Sequence, residues 1–201
     1  GRFERLKAVV FQKYGLHLLD AKRSKDMLPY APQVFEVLNA AYVNLYGFVP
    51  LTQEQIQNYV KQYFGFINPD FTKLVMDSND DVVAFETAMP RLSRAMQKAH
   101  GRLFPFGFIP LLRALSNPSE VVFYLIGVRP DYQARGVNAV LMSEFYRSLI
   151  ARGVQTVATC GELEDNREVN LLMNNFPHRQ HKRRRAWIKE LQPTAEVLKE
   201  S

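Results

Sequence analysis

Apolar and polar residues follow different rhythms in different parts of this chain, and each change of rhythm marks a candidate element. Residues 7–21, KAVVFQKYGLHLLDA, are β-branched and aromatic with a break at Gly15, which predicts one or two strands. From Pro32 onward Val34, Phe35, Leu38, Ala41, Tyr42 and Leu45 recur at spacings of three and four, predicting an amphipathic helix that ends near Gly47. Thr52 and Gln55 stand at capping-box spacing before a second helix, whose stripe is Ile56, Tyr59, Val60 and Phe64. FTKLVMD and VVAFETAM then form a hairpin across SNDD, whose Asn and Asp supply turn geometry, with Glu86 in the second strand.

Residues 90–100 allow a short helix from Pro90 to Gly101. The Phe-, Pro- and Gly-rich stretch at 101–120 predicts an irregular apolar segment, either tucked against the core or forming a wall of an acceptor pocket. VVFYLIGVRP is an almost continuous apolar run, as in a strand buried on both faces. After it come a helix over NAVLMSEFYRSLIARG stopping at Gly153, a strand in VQTVATCGEL, a helix in EDNREVNLLMNNF and a terminal strand in RRRAWIKEL. This order predicts an α/β (α+β) fold.

Composition narrows the classes. With 201 residues, 47% of them hydrophobic, the chain can bury a substantial core in one domain. Cys160 is the sole cysteine, so no internal disulfide can form, and a small buried strand residue is the expected role. His17, His100, His178 and His181 are scattered, so no catalytic metal is predicted. No run reaches the roughly 18–20 apolar residues of a membrane span, and the start, GRFERLKAVVF, has too short an apolar stretch for a signal peptide, so a soluble, cytoplasmic protein without a membrane partner is expected. Opening on Gly1 rather than methionine points to a cloning remnant or to a piece of a longer protein. The net charge of +6 favours anionic partners, among them nucleic acid, acidic membranes and phosphate-rich cofactors.

A strand running through Gln133, Ala134, Arg135, Gly136, Val137 and Asn138 into a helix has a physical use: turn amides and the unpaired donors of the first helical turn form a concave site for pyrophosphate. Gly136 permits close backbone approach. Here the sequence resembles the GNAT (GCN5-related N-acetyltransferase) superfamily, bacterial branch, whose acyl-CoA turn reads Q/R-x-x-G-x-G/A; Asn138 stands where Gly or Ala is usual. The preceding GVRPDYQARGV is similar to the family's strand end, and Glu164-Asp165-Asn166 resembles its D-N-x-x-A element, with Val169 in place of the alanine. The upstream layout, with LYGFVPLTQEQI and GRLFPFGF, is similar to bacterial members that carry a second, N-terminal domain.

The resemblance implies a single acyltransferase domain over 1–201, as the C-terminal part of a longer protein, with a mostly antiparallel sheet flanked by helices and two splayed central strands. It implies acetyl-CoA or another acyl-CoA as cosubstrate, paired along the backbone of Leu125, Ile126, Gly127 and Val128, with pyrophosphate on the amides of Arg135 to Asn138 and with Asn166 nearby. An unidentified primary amine would attack the thioester directly, and the enzyme would supply proximity, a base and oxyanion stabilisation. Glu86 and Glu162 are the candidate bases, the plain alternative for Glu86 being a solvated strand residue. Where the family often has a tyrosine that protonates the leaving thiolate, this chain has Met173. That departure keeps a second reading open, an acyl-CoA sensor with weak or no turnover. HRQHKRRR at 178–185 keeps a third, a nucleic-acid module, although an edge strand guarded by charge explains the cluster better. A homodimer is compatible with all three.

Overall fold

Five strands form one sheet in the order β1-β2-β3-β4-β5, where β1 is His17–Leu18, β2 Thr72–Met76, β3 Val82–Pro90, β4 Glu120–Val128 and β5 Thr156–Thr159. The first four pair antiparallel, and β5 runs parallel to β4. The helices are α1 (Arg2–Tyr14), α2 (Ser24–Met27), α3 (Ala31–Tyr42), α4 (Gln53–Tyr63), α5 (Ser93–Lys98), α6 (Phe108–Ser116), α7 (Val137–Ala151) and α8 (Arg167–Met173). This computed structural model describes residues 2–63, 65 and 67–189. The chain divides into two units, residues 1–160 and 161–201; the sheet and α1 to α7 belong to the first, α8 to the second.

Alternation along the strands, interrupted by a bulge at Val83 that lets it share a layer with Ala84, sends side chains to opposite faces and creates two apolar layers. Leu74, Met76, Val82 and Phe85 meet Met27 and the α3 residues Val37 and Leu38. Val75, Val83, Ala84 and Val128 meet Val10 of α1 and Val137, Val140 and Leu141 of α7. Each fully buried aliphatic or aromatic side chain stabilises the fold by roughly 1.5–3 kcal/mol, so these layers fix which helix covers which face. Helices α3 and α4 and the β2–β3 hairpin match the sequence expectation. The Thr52 and Gln55 box forms, with Thr52 N–H donating to Gln55 Oε1 at 2.9 Å and Gln55 N–H to Thr52 Oγ1 at 3.3 Å. Phe64, expected on the α4 stripe, lies outside the described residues.

Several expectations need correction. Residues 7–14 are helical, and only His17–Leu18 is a strand. Burial of Val10 against α7 and an ion pair from Lys7 Nζ to the buried Glu144 Oε1 at 2.8 Å outweigh the β propensity of the segment. Gly15, at φ +63, ends α1, and Leu16 N–H donates back to Phe11 O at 2.9 Å. The stretch at 101–120 is not wholly irregular, because α6 occupies its second half. Phe108, Leu112 and Leu115 have helical spacing, and Pro110 falls in the first turn, where its missing N–H costs nothing. Strand β4 is not buried on both faces, since Tyr124 is 46% exposed. Residues 183–189 of the expected terminal strand form no strand, with Trp187 and Ile188 exposed and without a strand partner among the described residues; 190–191 lie outside them.

Candidate active site

Strand β4 is interrupted at one residue. Thr87 pairs with Leu125 and Ala88 with Phe123, so Tyr124 is an extra residue in the ladder, a bulge. On its other edge β4 pairs with β5 only from Glu120 to Phe123, and β5 ends at Thr159. Beyond Phe123 that edge of β4 therefore has no strand partner among the described residues. The Arg129 N–H bond to Val83 O at 2.8 Å sets the hydrogen-bonding phase toward β3. By alternation Gly127 and Leu125 face β3, while the main-chain groups of Ile126 and Val128 turn to the edge that β5 has left. Two side chains already use that edge: Tyr42 Oη donates to Ile126 O at 3.0 Å, and Gln133 Nε2 donates to Val128 O at 3.1 Å. Gly127 is small for a packing reason, because a Cβ there would lie 2.6 Å from Cε1 of the buried Phe85.

From β4 a short 3-10 turn, Pro130–Tyr132, leads to Gln133 and on to α7. Ala134 at φ +57 and Gly136 at φ +83 are both left-handed and bracket Arg135, which curls the backbone just before the helix. That is the type of turn in which successive amides converge on an anion, and a 15-residue helix follows it. Gly136 is also constrained from behind: a Cβ there would sit 3.3 Å from Val10 Cγ2 of α1. Cations and rings surround the turn. The Arg135 guanidinium stacks on Tyr14 and Tyr132, each at 5.1 Å, and Arg129 lies 4.7 Å from the Tyr132 ring. Arg129 also grips Asp131 through two hydrogen bonds of 2.8 and 3.0 Å, which hold the Asp131 carboxyl below the ordinary aspartate range. Sequence reasoning missed Tyr14, Tyr42 and Tyr132, because contacts between distant segments leave no local spacing signal.

Glu86 is not a solvated strand residue. It is 0% exposed, on the sheet face that carries Val75 and Ala84, with Lys73 and Ile126 as its neighbours in register. Neither carboxylate oxygen has a hydrogen-bond partner among the described residues. Burial pushes its carboxyl well above the ordinary 4.5; Lys73 pulls the other way and Glu144 adds to the rise. Lys73 Nζ donates to Pro69 O at 2.8 Å, and burial lowers its proton affinity. Glu144, itself buried, is held by Lys7 and Arg147. Polar residues inside the apolar runs of β2 and α7 were the available sign of this cluster.

No family model matches the chain. Protein YghO of Escherichia coli (strain K12) is 27% identical over 162 residues, 78% of this chain and 41% of YghO, so the chain spans about two fifths of that relative. Among solved structures, an aminoglycoside acetyltransferase from an uncultured soil metagenomic sample, in complex with trehalose, superimposes with a TM-score of 0.54 at 12% identity, over 90% of this chain and 99% of that one. A GCN5-related N-acetyltransferase from Sphaerobacter thermophilus gives 0.53 at 12% identity, over 80% and 42%. AAC(6')-Iy in complex with the bisubstrate analogue CoA-S-monomethyl-acetylneamine gives 0.50 at 15%, over 88% and 99%. This chain has the GNAT fold. Its five-stranded, mostly antiparallel sheet flanked by helices matches the architecture that the sequence resemblance implied.

Other site residues expected of a GNAT protein lie in the second unit. Asn166 Oδ1 accepts from Val169 N–H at 3.4 Å, as a cap of α8. Glu162 is exposed, yet crowding by neighbouring atoms raises its carboxyl above the usual range. Met173 ends α8. In the basic stretch Arg183 pairs with Glu164. Cys160, the last residue of the first unit, is exposed rather than buried, because β5 stops one residue before it. No helix of the described residues is long and apolar enough to cross a membrane.

Proposed function

We propose that this chain is an acyl-CoA-dependent N-acyltransferase that moves an acetyl group from acetyl-CoA to a primary amine. The observation that carries the reading is the continuity of an open β4 edge with the left-handed turn at Ala134 and Gly136 that opens α7. In this reading the Ile126 and Val128 main chain pairs with the pantetheine arm, within the segment Leu125 to Val128. Gln133 holds the strand end, and the amides of Arg135, Gly136, Val137 and Asn138 hold the pyrophosphate. The positive charge of Arg135 adds to the attraction. Asn166 caps α8.

Chemistry then follows from the thioester. The amine nitrogen attacks the carbonyl carbon, the C–S bond breaks as the tetrahedral centre collapses, the nitrogen loses a proton and the CoA sulfur gains one. Of the two candidate bases, Glu162 suits the task better, being exposed and of raised proton affinity. Glu86 is enclosed and burial favours its protonated form, so its part is a relay within the charged cluster at most. Met173 has no proton to give, so water or another group must protonate the thiolate, which supports a second reading, an acyl-CoA binder with little turnover.

Thiol release from acetyl-CoA in the presence of a panel of polyamines, aminoglycosides, amino acids and lysine peptides tests the reading. Amine-dependent release, reduced about a hundredfold by Glu162→Gln with cofactor affinity unchanged, supports it. Cofactor binding without release for any amine selects the sensor.

A further inference from the structure

Between β3 and β4 the chain leaves the sheet and builds a helical hairpin from α5 and α6. Residues 91–119 contain Arg91, Arg94, Lys98, Arg102 and Arg113 and no Asp or Glu. The same stretch leaves large apolar side chains in water: Phe104 is 80% exposed, Phe106 71%, Met96 57% and Leu112 55%. None of the α6 side chains is buried, although Phe108, Leu112 and Leu115 form a stripe along it. Scattered exposed apolar residues are ordinary, but a contiguous group on one hairpin marks an interaction surface. A cleft of about 360 Å³ between the helices is lined by Arg91, Arg94, Lys98 and Arg113. A second, of about 510 Å³, lies between Lys98, His100 and Arg102 on one side and Phe104 and Phe106 on the other. Glu120 is shared between Arg91 at 3.6 Å and Arg94 at 3.8 Å, so the surplus positive charge stands.

We propose that this hairpin docks on the surface of an anionic lipid bilayer. Phosphate headgroups would meet the five cations, and Phe104, Phe106 and the α6 stripe would enter the boundary with the acyl chains. A hairpin that is both cationic and apolar on its exposed side matches the two attractions an acidic bilayer offers at one surface, and it needs no complementary groove. Nucleic acid would satisfy the charge but leave Leu112 and Leu115 in water. A second copy of the chain would cover the apolar stripe but set five cations against five. The inference is independent of the acyltransfer chemistry.

Vesicle flotation of the purified chain tests it, with phosphatidylcholine alone and with an equal mixture of phosphatidylcholine and phosphatidylglycerol. The chain floats with the anionic vesicles and about tenfold less with the neutral ones, and high salt reverses the binding. The double variants Phe104→Ser with Phe106→Ser, and Arg94→Glu with Lys98→Glu, each lower the partition about tenfold with unchanged thermal melts, since all four side chains are exposed. Failure to float with anionic vesicles overturns the inference, as does equal flotation of both double variants. A dimer in light scattering that the Phe double variant converts to monomer, without vesicle binding, assigns the surface to a second copy and overturns it too.

Discussion

Residues 125–138 and residues 91–119 adjoin opposite ends of β4, and they are defined by different things. In the first, backbone geometry decides: a bulge at Tyr124, an edge freed beyond Phe123, and left-handed residues at Ala134 and Gly136, with Gly127 packed against Phe85 and Gly136 against Val10. In the second, side chains decide, because exposed rings and cations sit on a hairpin that carries little of the core. The contrast teaches where substitutions should be felt. At the packed glycines near the turn, stability and ligand binding are lost together; on the hairpin, surface binding can be lost alone.

Four changes test that division. The largest effect is expected from Gly127→Val, which forces a branched side chain into the Phe85 ring. It should lower stability by about 3 kcal/mol in urea denaturation and weaken acyl-CoA binding with it. Next comes Glu144→Ala, which strips the buried partner from Lys7 and Arg147 and loosens α1 from α7. A loss of about 2 kcal/mol is expected, less than for a wholly buried pair because both cations reach solvent.

Glu86→Gln acts in the opposite direction and depends on pH. The folded carboxyl holds its proton above the ordinary 4.5, so between 4.5 and the folded value the native state binds more protons than the unfolded one. Stability of the native chain therefore falls as pH rises through that window. The variant lacks this slope, so its advantage is near zero at pH 4 and grows toward neutral pH to about 1 kcal/mol or more. An advantage that does not change with pH would show that the Glu86 carboxyl does not carry the penalty. Smallest of all is Phe106→Ser on the hairpin, which should leave stability within about 0.5 kcal/mol.

Much of this division is legible in the sequence where the signal is local. The spacing of Val34 to Leu45, the Thr52 and Gln55 box, the SNDD turn and the Gln133 to Asn138 turn each encode their structure within a few residues. Helix α1 reads as strand in the sequence because Val10, Phe11 and Tyr14 serve the core layer they share with α7, far along the chain. Helix α6 is hidden by the glycines and prolines that position it. Glu86 escapes for a related reason: alternation locates a strand side chain on a face, but which helix covers that face is settled by the whole fold.

The account rests most directly on acyl-CoA binding at the turn, and calorimetric titration with acetyl-CoA of the native chain and of Ala134→Asp measures it. Aspartate accepts the left-handed backbone at position 134 at least as well as alanine, so the variant should keep its fold while placing a negative charge against the phosphates. The account predicts binding on the order of micromolar to the native chain, weakened at least about tenfold in the variant, a difference of roughly 1.4 kcal/mol. No binding to the native chain, or equal binding to both, would contradict it.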